Sequence, residues 1–211
     1  TVDGSSSSGS VASAKTLSFS HITGSGANRL LLVGVSTECG GAGSSCGGSA
    51  DPTVTTVTFN GQNLTFVGRA FANGNDAIVE IWRMFNPPAN TTANVVVNIS
   101  GSVNLPIVAG ATNFAGVDQT QTLSFVSATG NNSTLQVTVP SVTGALVFDT
   151  VSWDDIPAGA STAGSGQTQQ WSTSGGTNGP NAGARGVGSI KAGAASVTMS
   201  WTPNTANWAI G

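Results

Sequence analysis

The sequence has little charge and lacks several residue types on which functional sites depend. Charged side chains make up 7% of the 211 residues, where about 25% is usual. The chain has one histidine and no tyrosine. Its six Lys and Arg residues are scattered and form no basic patch, which argues against nucleic-acid binding. No apolar run approaches the roughly 20 residues of a membrane-spanning helix, and a hydrophobic fraction of 38% is too high for a disordered chain.

The scarcity of charge means that Ser, Thr, Asn, Gln and Gly must solvate the surface. This composition is typical of a secreted protein, and it suits a chain that packs against copies of itself, because a net charge of −3 gives little repulsion between copies. The sequence starts at Thr1 without Met, as expected after removal of a signal peptide or after trimming of the chain. We therefore expect an extracellular, cell-surface protein.

Cysteine is nearly absent as well. Cys39 and Cys46 are separated by six flexible residues, and this spacing lets them meet in a local disulfide that would fix a loop in an oxidising compartment. The alternative is a pair of free thiols. A zinc site is a weaker interpretation, because there is no second cysteine pair and only one histidine.

What the sequence does contain is a succession of short β-patterns. Residues 77–85 are apolar on both faces, as in a central strand, and residues 92–99 alternate between apolar and polar, as in a half-buried strand. Pro87 and Pro88 force a turn between them, and Asn60-Gly61 predicts a hairpin. We expect about a dozen strands and no helix. Further strands are predicted at residues 16–22, 29–37, 54–59, 64–67, 105–114, 123–126, 135–139, 145–153, 168–172, 184–190 and 196–201 and from 208.

This pattern predicts an all-β fold in which two antiparallel sheets pack as a sandwich of jelly-roll type. Residues 15–211 are expected to form a single domain. The Ser- and Gly-rich residues 1–14 are either a flexible leader or an arm that adds to the sheet of a neighbouring copy. The last predicted strand begins at Trp208 and stops. The expected subunit contacts are therefore Thr1, Val2, Val11, Trp208 and Ile210.

Two patterns could carry hydrolytic chemistry. A Ser-His-Asp triad would need His21 as its base, and a G-x-S-x-G pattern occurs at residues 43–47. A nucleophile elbow, however, stands between a strand and a helix, whereas this pattern lies in a Gly- and Ser-rich loop. We therefore interpret His21 as a polar residue on the outer face of a strand.

Glycosidases commonly use two carboxylates across a cleft. Glu80 and Asp149 both lie in mid-strand, and Trp82 beside Glu80 could support a sugar ring. The structural alternative is that Glu80 pairs with a cation such as Arg69 and that Asp149 belongs to a buried polar network. We favour this alternative and expect no catalytic site. The five tryptophans are likewise expected to pack in the core rather than to bind sugars.

Metal and glycan sites are less defined. Calcium needs six to eight oxygen ligands, and the candidates for a structural Ca²⁺ are Asp76 with Asn73 and Asn75, Asp154 with Asp155, and Asp118. None of these matches a known calcium loop, so no ligand set is assigned, and no other cofactor is expected. Sequons for N-glycosylation begin at Asn63, Asn90, Asn98, Asn131 and Asn132, of which Asn90, Asn131 and Asn132 fall in predicted loops.

Several segments together resemble a widespread domain of secreted bacterial and archaeal surface proteins. The segments lie at residues 28–35 (NRLLLVGV), 57–62 (VTFNGQ), 80–82 (EIW) followed by 86–88 (NPP), 114–119 (FAGVDQ) and 208–211 (WAIG). The resemblance spans nearly the whole chain. It implies a concanavalin- or jelly-roll-like sandwich in a surface protein, and it carries no catalytic residues. The leading hypothesis is an extracellular structural subunit of a filament, sheath or surface layer; a carbohydrate-binding or adhesion module is second, and a jelly-roll glycosidase is third.

Overall fold

The structure is a computed structural model that describes residues 1–38, 52–72, 77–101, 104–131, 134–154, 160–177, 183–202 and 207–211. Within these residues the chain forms β-strands and no helix. The strands of the first half are β1 (Ser7–Ala14), β2 (Thr16–Ile22), β3 (Leu30–Glu38), β4 (Val54–Phe59), β5 (Gln62–Asn63), β6 (Thr65–Phe71), β7 (Ala77–Phe85), β8 (Thr92–Ile99) and β9 (Leu105–Phe114). Those of the second half are β10 (Ala128–Asn131), β11 (Gln136–Pro140), β12 (Leu146–Trp153), β13 (Thr162–Ala163), β14 (Thr168–Gly176), β15 (Gly183–Ala192), β16 (Ser196–Thr202) and β17 (Asn207–Ile210).

The described strands form four antiparallel sheets. In the first half, β1-β9-β3-β7-β6 make inner sheet 1 and β2-β8-β4-β5 make outer sheet 1. In the second half, β10-β17-β12-β15-β14 make inner sheet 2 and β11-β16-β13 make outer sheet 2. The predicted all-β antiparallel sandwich is thus confirmed, and the chain contains two such sandwiches.

The two halves repeat the same topology. Each inner strand of the first half has a counterpart at the same place in inner sheet 2, so that β1-β9-β3-β7-β6 corresponds to β10-β17-β12-β15-β14. The outer order β2-β8-β4 likewise corresponds to β11-β16-β13. Along the chain, both halves place their strands in the same succession of inner and outer sheets. The chain is therefore an internal repeat of one β-sandwich unit.

Each sandwich has its own apolar core. In the first, the inward residues of β8, namely Val95, Val97 and Ile99, meet residues of β3 and β9. In the second, Met199 and Trp201 of β16 pack with residues of β12 and β17. The predicted roles of residues 77–85 and 92–99 are confirmed: β7 is almost wholly buried, and β8 alternates between buried and more exposed positions.

The two inner sheets pack face to face through small residues. A Cβ on Gly110 would collide with the ring of Trp171, and one on Gly34 would collide with the side chain of Thr150. Ser36 Oγ donates to Val151 O across this interface at 3.0 Å. A facing sheet therefore approaches β9 closely at Gly110, where a larger residue would not fit.

Two predictions about strands need correction or placement. The described structure has no strand at residues 123–126: this segment is part of the connection between the halves, where Phe125 packs against Gly68 and Gly211. Residues 7–14, for which the sequence predicts no strand in the chain's own sheets, form β1 and pair with β9 of the same chain. In the described part of the chain, no helix is long and apolar enough to cross a membrane.

Candidate functional site

The most distinctive surface feature is the groove along β9 that holds β1. β1 is an edge strand of inner sheet 1 and pairs antiparallel with β9, from Ser7 opposite Ala111 to Ala14 opposite Leu105. A bridge between Val2 and Phe114 extends this pairing toward residue 1. The groove, called the β9 groove below, has β2 on one side and β14 on the other.

The β9 groove is narrow, and β1 fits it because β1 is nearly free of large side chains. A Cβ on Gly9 would lie 2.6 Å from Phe19 Cβ and 2.9 Å from Phe19 Cγ. On the opposite wall, a Cβ on Gly175 would lie 2.7 Å from the carbonyl oxygen of Val11. Val11 is the one larger apolar residue of β1, and it is partly buried against the core of the first half.

Polar contacts hold the residues that precede β1 against β9, β14 and Gly26. Ser6 Oγ lies 2.9 Å from Thr112 Oγ1 of β9 and donates to Gln170 Oε1 of β14 at 3.1 Å. The backbone amide of Asp3 donates to Asn113 O, and an Asp3 carboxylate oxygen accepts from Gly26 N–H at 2.9 Å. Both halves of the molecule thus contact the first residues of the chain.

His21 joins β1 to the rest of the first sandwich. Its Nδ1 lies 2.7 Å from Ser7 Oγ, and its Nε2 lies 2.8 Å from Asn113 Nδ2. Because Asn113 Nδ2 also donates to Ile22 O, the amide is oriented to donate to Nε2, which leaves the imidazole proton on Nδ1 for Ser7. Burial lowers the pKa of His21.

The prediction for His21 was wrong in one respect. It is not on an outer face but 2% exposed, with its ring edge against Phe59. Its Nδ1–H donates to Ser7, so it does not activate that hydroxyl as a general base would. Sequence reasoning missed the network of Ser7, His21 and Asn113 because its members lie on three separate strands and no local motif joins them.

The predicted subunit contacts fall in two different environments. The Thr1 ammonium donates to Ala115 O at 3.0 Å, and Val2 packs beside Phe114. Trp208 and Ile210 are 2% and 0% exposed, and β17 is paired on both sides, with β10 and β12. Their side chains belong to the core of the second sandwich, whereas the residues before and within β1 lie at the surface.

The carboxylates Glu80 and Asp149 do not face each other across a cleft. Glu80 is buried in the first sandwich, where Trp82 Nε1 donates to it at 2.9 Å and Arg69 Nε lies 3.7 Å away. Asp149 is buried in the second sandwich, where Trp201 Nε1 donates to it at 2.8 Å. The ion pair with Arg69 and the buried network at Asp149 are therefore confirmed.

Burial dominates the acidity of both carboxyls. It raises the pKa of Glu80 against the hydrogen bond from Trp82 and the charge of Arg69, which lower it. It raises the pKa of Asp149 to about 6, against hydrogen bonds from Ser189 and Trp201. The core role of the tryptophans is also confirmed, since all five are at most 8% exposed.

The sequons differ in accessibility. Asn63, Asn90 and Asn131 are exposed, whereas Asn98 holds two threonines: its Oδ1 accepts from Thr16 Oγ1 at 2.8 Å and its Nδ2 donates to Thr56 Oγ1 at 3.0 Å. Its amide is therefore engaged between neighbouring strands. Asn132 lies outside the described residues.

The predicted disulfide between Cys39 and Cys46 lies outside the described residues. So do the candidate calcium ligands Asn73, Asn75, Asp76 and Asp155. Asp118 is described, and its carboxylate accepts from Thr120 and Gln121 in a turn; these bonds lower its pKa. Among the described residues, no group of three or more His, Cys, Asp or Glu side chains could hold a metal ion.

A cleft of about 900 Å³ lies where the connection of the two halves meets both sandwiches. It is lined mainly by aliphatic and aromatic side chains, such as Leu32, Phe125 and Phe148.

Comparison of the chain with protein-family models, with curated proteins and with solved structures gave no match.

Proposed function

We propose that the chain is an extracellular structural subunit of a cell-surface filament, sheath or layer, in which copies are joined by exchange of β1. The observation that carries the proposal is the docking of β1 in the β9 groove. Seven of the eight residues of Ser7–Ala14 are Ser, Gly or Ala, so side-chain burial contributes little to this docking. Main-chain pairing with β9 supplies most of it.

Such a strand is suited to exchange between copies. Each main-chain hydrogen bond contributes only about 0.5–1.5 kcal/mol net, and Val11 is the one larger apolar side chain that β1 itself brings to the groove. An identical strand from another copy would form the same bonds in the same groove, which makes exchange a low-cost route to association. When β1 leaves, the edge of β9 exposes unpaired backbone N–H and C=O groups. Pairing of this edge with β1 of another copy is therefore favoured.

The connection to β2 supports the same interpretation. Only Lys15 separates β1 in inner sheet 1 from β2 in outer sheet 1, so the chain reverses between two sheets at one residue. Short hinges of this kind favour exchange, because opening the hinge releases the sharp reversal. The low charge of the chain, seven charged residues per hundred, leaves little repulsion to keep copies apart.

Negative-stain microscopy and sedimentation of the purified chain test the proposal. We expect oligomers or filaments, and we expect a chain lacking residues 1–14 to remain monomeric and to bind a synthetic peptide of residues 1–14. The matched control is the same peptide with Gly9→Val, which should bind poorly because of Phe19. A monodisperse monomer under all conditions would refute the proposal, and assembly of the shortened chain would refute β1 as the joint.

One observation favours carbohydrate binding or adhesion as a second function. Phe66 and Phe71 are 48% and 39% exposed on β6, the other edge of inner sheet 1. The Arg69 guanidinium lies 5.6 Å from the centre of the Phe71 ring. Exposed aromatic faces can stack on sugar rings. A glycan array should then show a ligand that is lost in Phe66→Ala and Phe71→Ala, and an array without signal would exclude this function.

A further inference from the structure

The second sandwich contains a buried cluster in which a hydroxyl, a carboxylate and a carboxamide meet. Ser189 Oγ donates to Asp149 Oδ1 at 2.7 Å, and Ser189 N–H donates to the same oxygen at 2.7 Å. Gln167 Nε2 donates to Ser189 Oγ at 2.8 Å and lies 3.3 Å from Asp149 Oδ2. Ser189 is 0% and Asp149 1% exposed.

Each polar atom of the Gln167 carboxamide is held by the fold. Its Oε1 accepts from Ser200 N–H at 2.7 Å, and its Nε2 is held by Ser189 and Asp149. The turn that presents Gln167 is closed by its own backbone amide, which donates to Gly164 O at 3.0 Å. A nucleophile, a base and the carboxamide nitrogen of Gln167 are therefore held within hydrogen-bond reach of one another, and the carbonyl bonded to that nitrogen is polarised by Ser200 N–H.

We propose that Ser189 and Gln167 form an intramolecular ester crosslink. Ser189 Oγ attacks Gln167 Cδ while Asp149 removes the hydroxyl proton. The Cδ–Oγ bond forms, the Cδ–Nε2 bond breaks, and Asp149 returns the proton to Nε2, so that ammonia leaves and the carboxylate is restored. The reaction needs no oxidant, metal or co-reactant, and its products are the ester and one ammonia.

The surroundings favour this reaction in three ways. Burial raises the pKa of Asp149 to about 6, and a more basic carboxylate is a better general base. Negative charge that develops on Gln167 Oε1 meets the Ser200 N–H that already points at it. Holding the reacting groups together replaces a bimolecular step by an intramolecular one, for which effective concentrations of about 10⁵–10⁸ M have been measured.

Burial also determines the substrate. An external ester or amide cannot reach Ser189 in the core, so the Gln167 carboxamide, which is in direct contact with it, is the electrophile. The resulting ester would join β15 to the residue that precedes β14. Trp201 Nε1 donates to Asp149 Oδ2 at 2.8 Å, which fixes the carboxylate beside the reacting groups. The crosslink lies within one chain and is independent of whether copies assemble.

The sequence offers a direct assay. Trypsin cleaves after Arg185 and Lys191, so an unmodified chain releases a free hexapeptide, residues 186–191, that contains Ser189. Gln167 lies in the preceding tryptic fragment, residues 84–185. We expect a digest of the denatured wild-type chain to lack the free hexapeptide, and we expect the intact chain to be lighter by one ammonia. Hydroxylamine, which cleaves esters, should then release the hexapeptide.

Two variants separate the crosslink from a merely structural network. In Asp149→Asn the hexapeptide should appear in the digest without hydroxylamine, because the base is missing. In Ser152→Ala, which alters an equally buried serine of β12, it should stay absent. If Asp149→Asn does not fold, the presence or absence of the free hexapeptide in the wild-type digest still tests the proposal. Recovery of the free hexapeptide in full yield from the wild-type chain would overturn the proposal.

Discussion

Gly9→Val is the most direct perturbation of the β9 groove. The first added atom would lie 2.6 Å from Phe19 Cβ, well inside van der Waals contact, and Phe19 is itself packed against the first core. Overpacking of this kind costs about 1–3 kcal/mol. Because β1 is an edge strand with few buried side chains, we expect this cost to appear as local opening of β1 rather than as global unfolding.

Amide hydrogen exchange measures this opening at the β9 amides that face β1. An opening free energy lowered by about 1–3 kcal/mol makes their exchange about 5- to 150-fold faster. Ser8→Val is the matched control, since Ser8 is exposed in the same strand and receives the same valine side chain without meeting Phe19. Equal protection of β9 in the two valine variants would refute the account of the β9 groove as a narrow slot.

Three other perturbations have expected outcomes. Burial raises the pKa of Asp149 from 3.8 to about 6. The stabilisation by the protonated carboxyl is therefore complete below about pH 4, and the free energy of unfolding falls by about 3 kcal/mol as pH rises through 6. Denaturant titrations of Asp149→Asn should lack this pH dependence. Burial lowers the pKa of His21, whose described contacts are with the uncharged Ser7, Asn113 and Phe59. The neutral imidazole therefore stabilises the fold fully above about pH 6.5, and this stabilisation is lost on acidification. Thermal unfolding of His21→Gln should be less sensitive to acid than that of the wild type. Gly110→Val should lower the melting temperature, because its side chain would meet the Trp171 ring between the inner sheets; an unchanged melting temperature would contradict the close packing described there.

Strand positions followed well from the sequence because they depend on local pattern. Period-2 alternation placed β8, and the continuous apolar run placed β7, each with the bounds that the structure has. The repeat of the fold was not predicted, because the two halves share topology rather than sequence. One pair of segments does show the repeat in the sequence. Residues 93–99 (ANVVVNI) in β8 and residues 195–201 (ASVTMSW) in its counterpart β16 have the same alternation of polar and apolar residues.

The buried polar residues were harder to interpret, because their partners are remote in sequence. Asp149 could be assigned to a buried network, but Ser189 and Gln167 could not be named as its partners: the register of β12 with β15 and the turn before β14 bring them together. His21 was misplaced although it shares the apolar face of β2 with Leu17 and Phe19, a period-2 signal for burial. Its polarity suggested exposure, but β1 covers it and Ser7 supplies a hydrogen-bond partner.

β14 connects the two proposals physically. Its Gln170 and Gly175 contact Ser6 and Val11, so β14 forms one wall of the β9 groove. The main-chain hydrogen bonds of β1 could be made by any extended segment, so they do not distinguish β1 from other strands. The β9 groove can therefore select β1 only by its width, which must stay constant if larger side chains are to be excluded. An ester at Gln167 would fix the start of that wall to β15, the neighbouring strand of inner sheet 2. The ester crosslink in the second sandwich would thus increase the specificity of the β9 groove for β1.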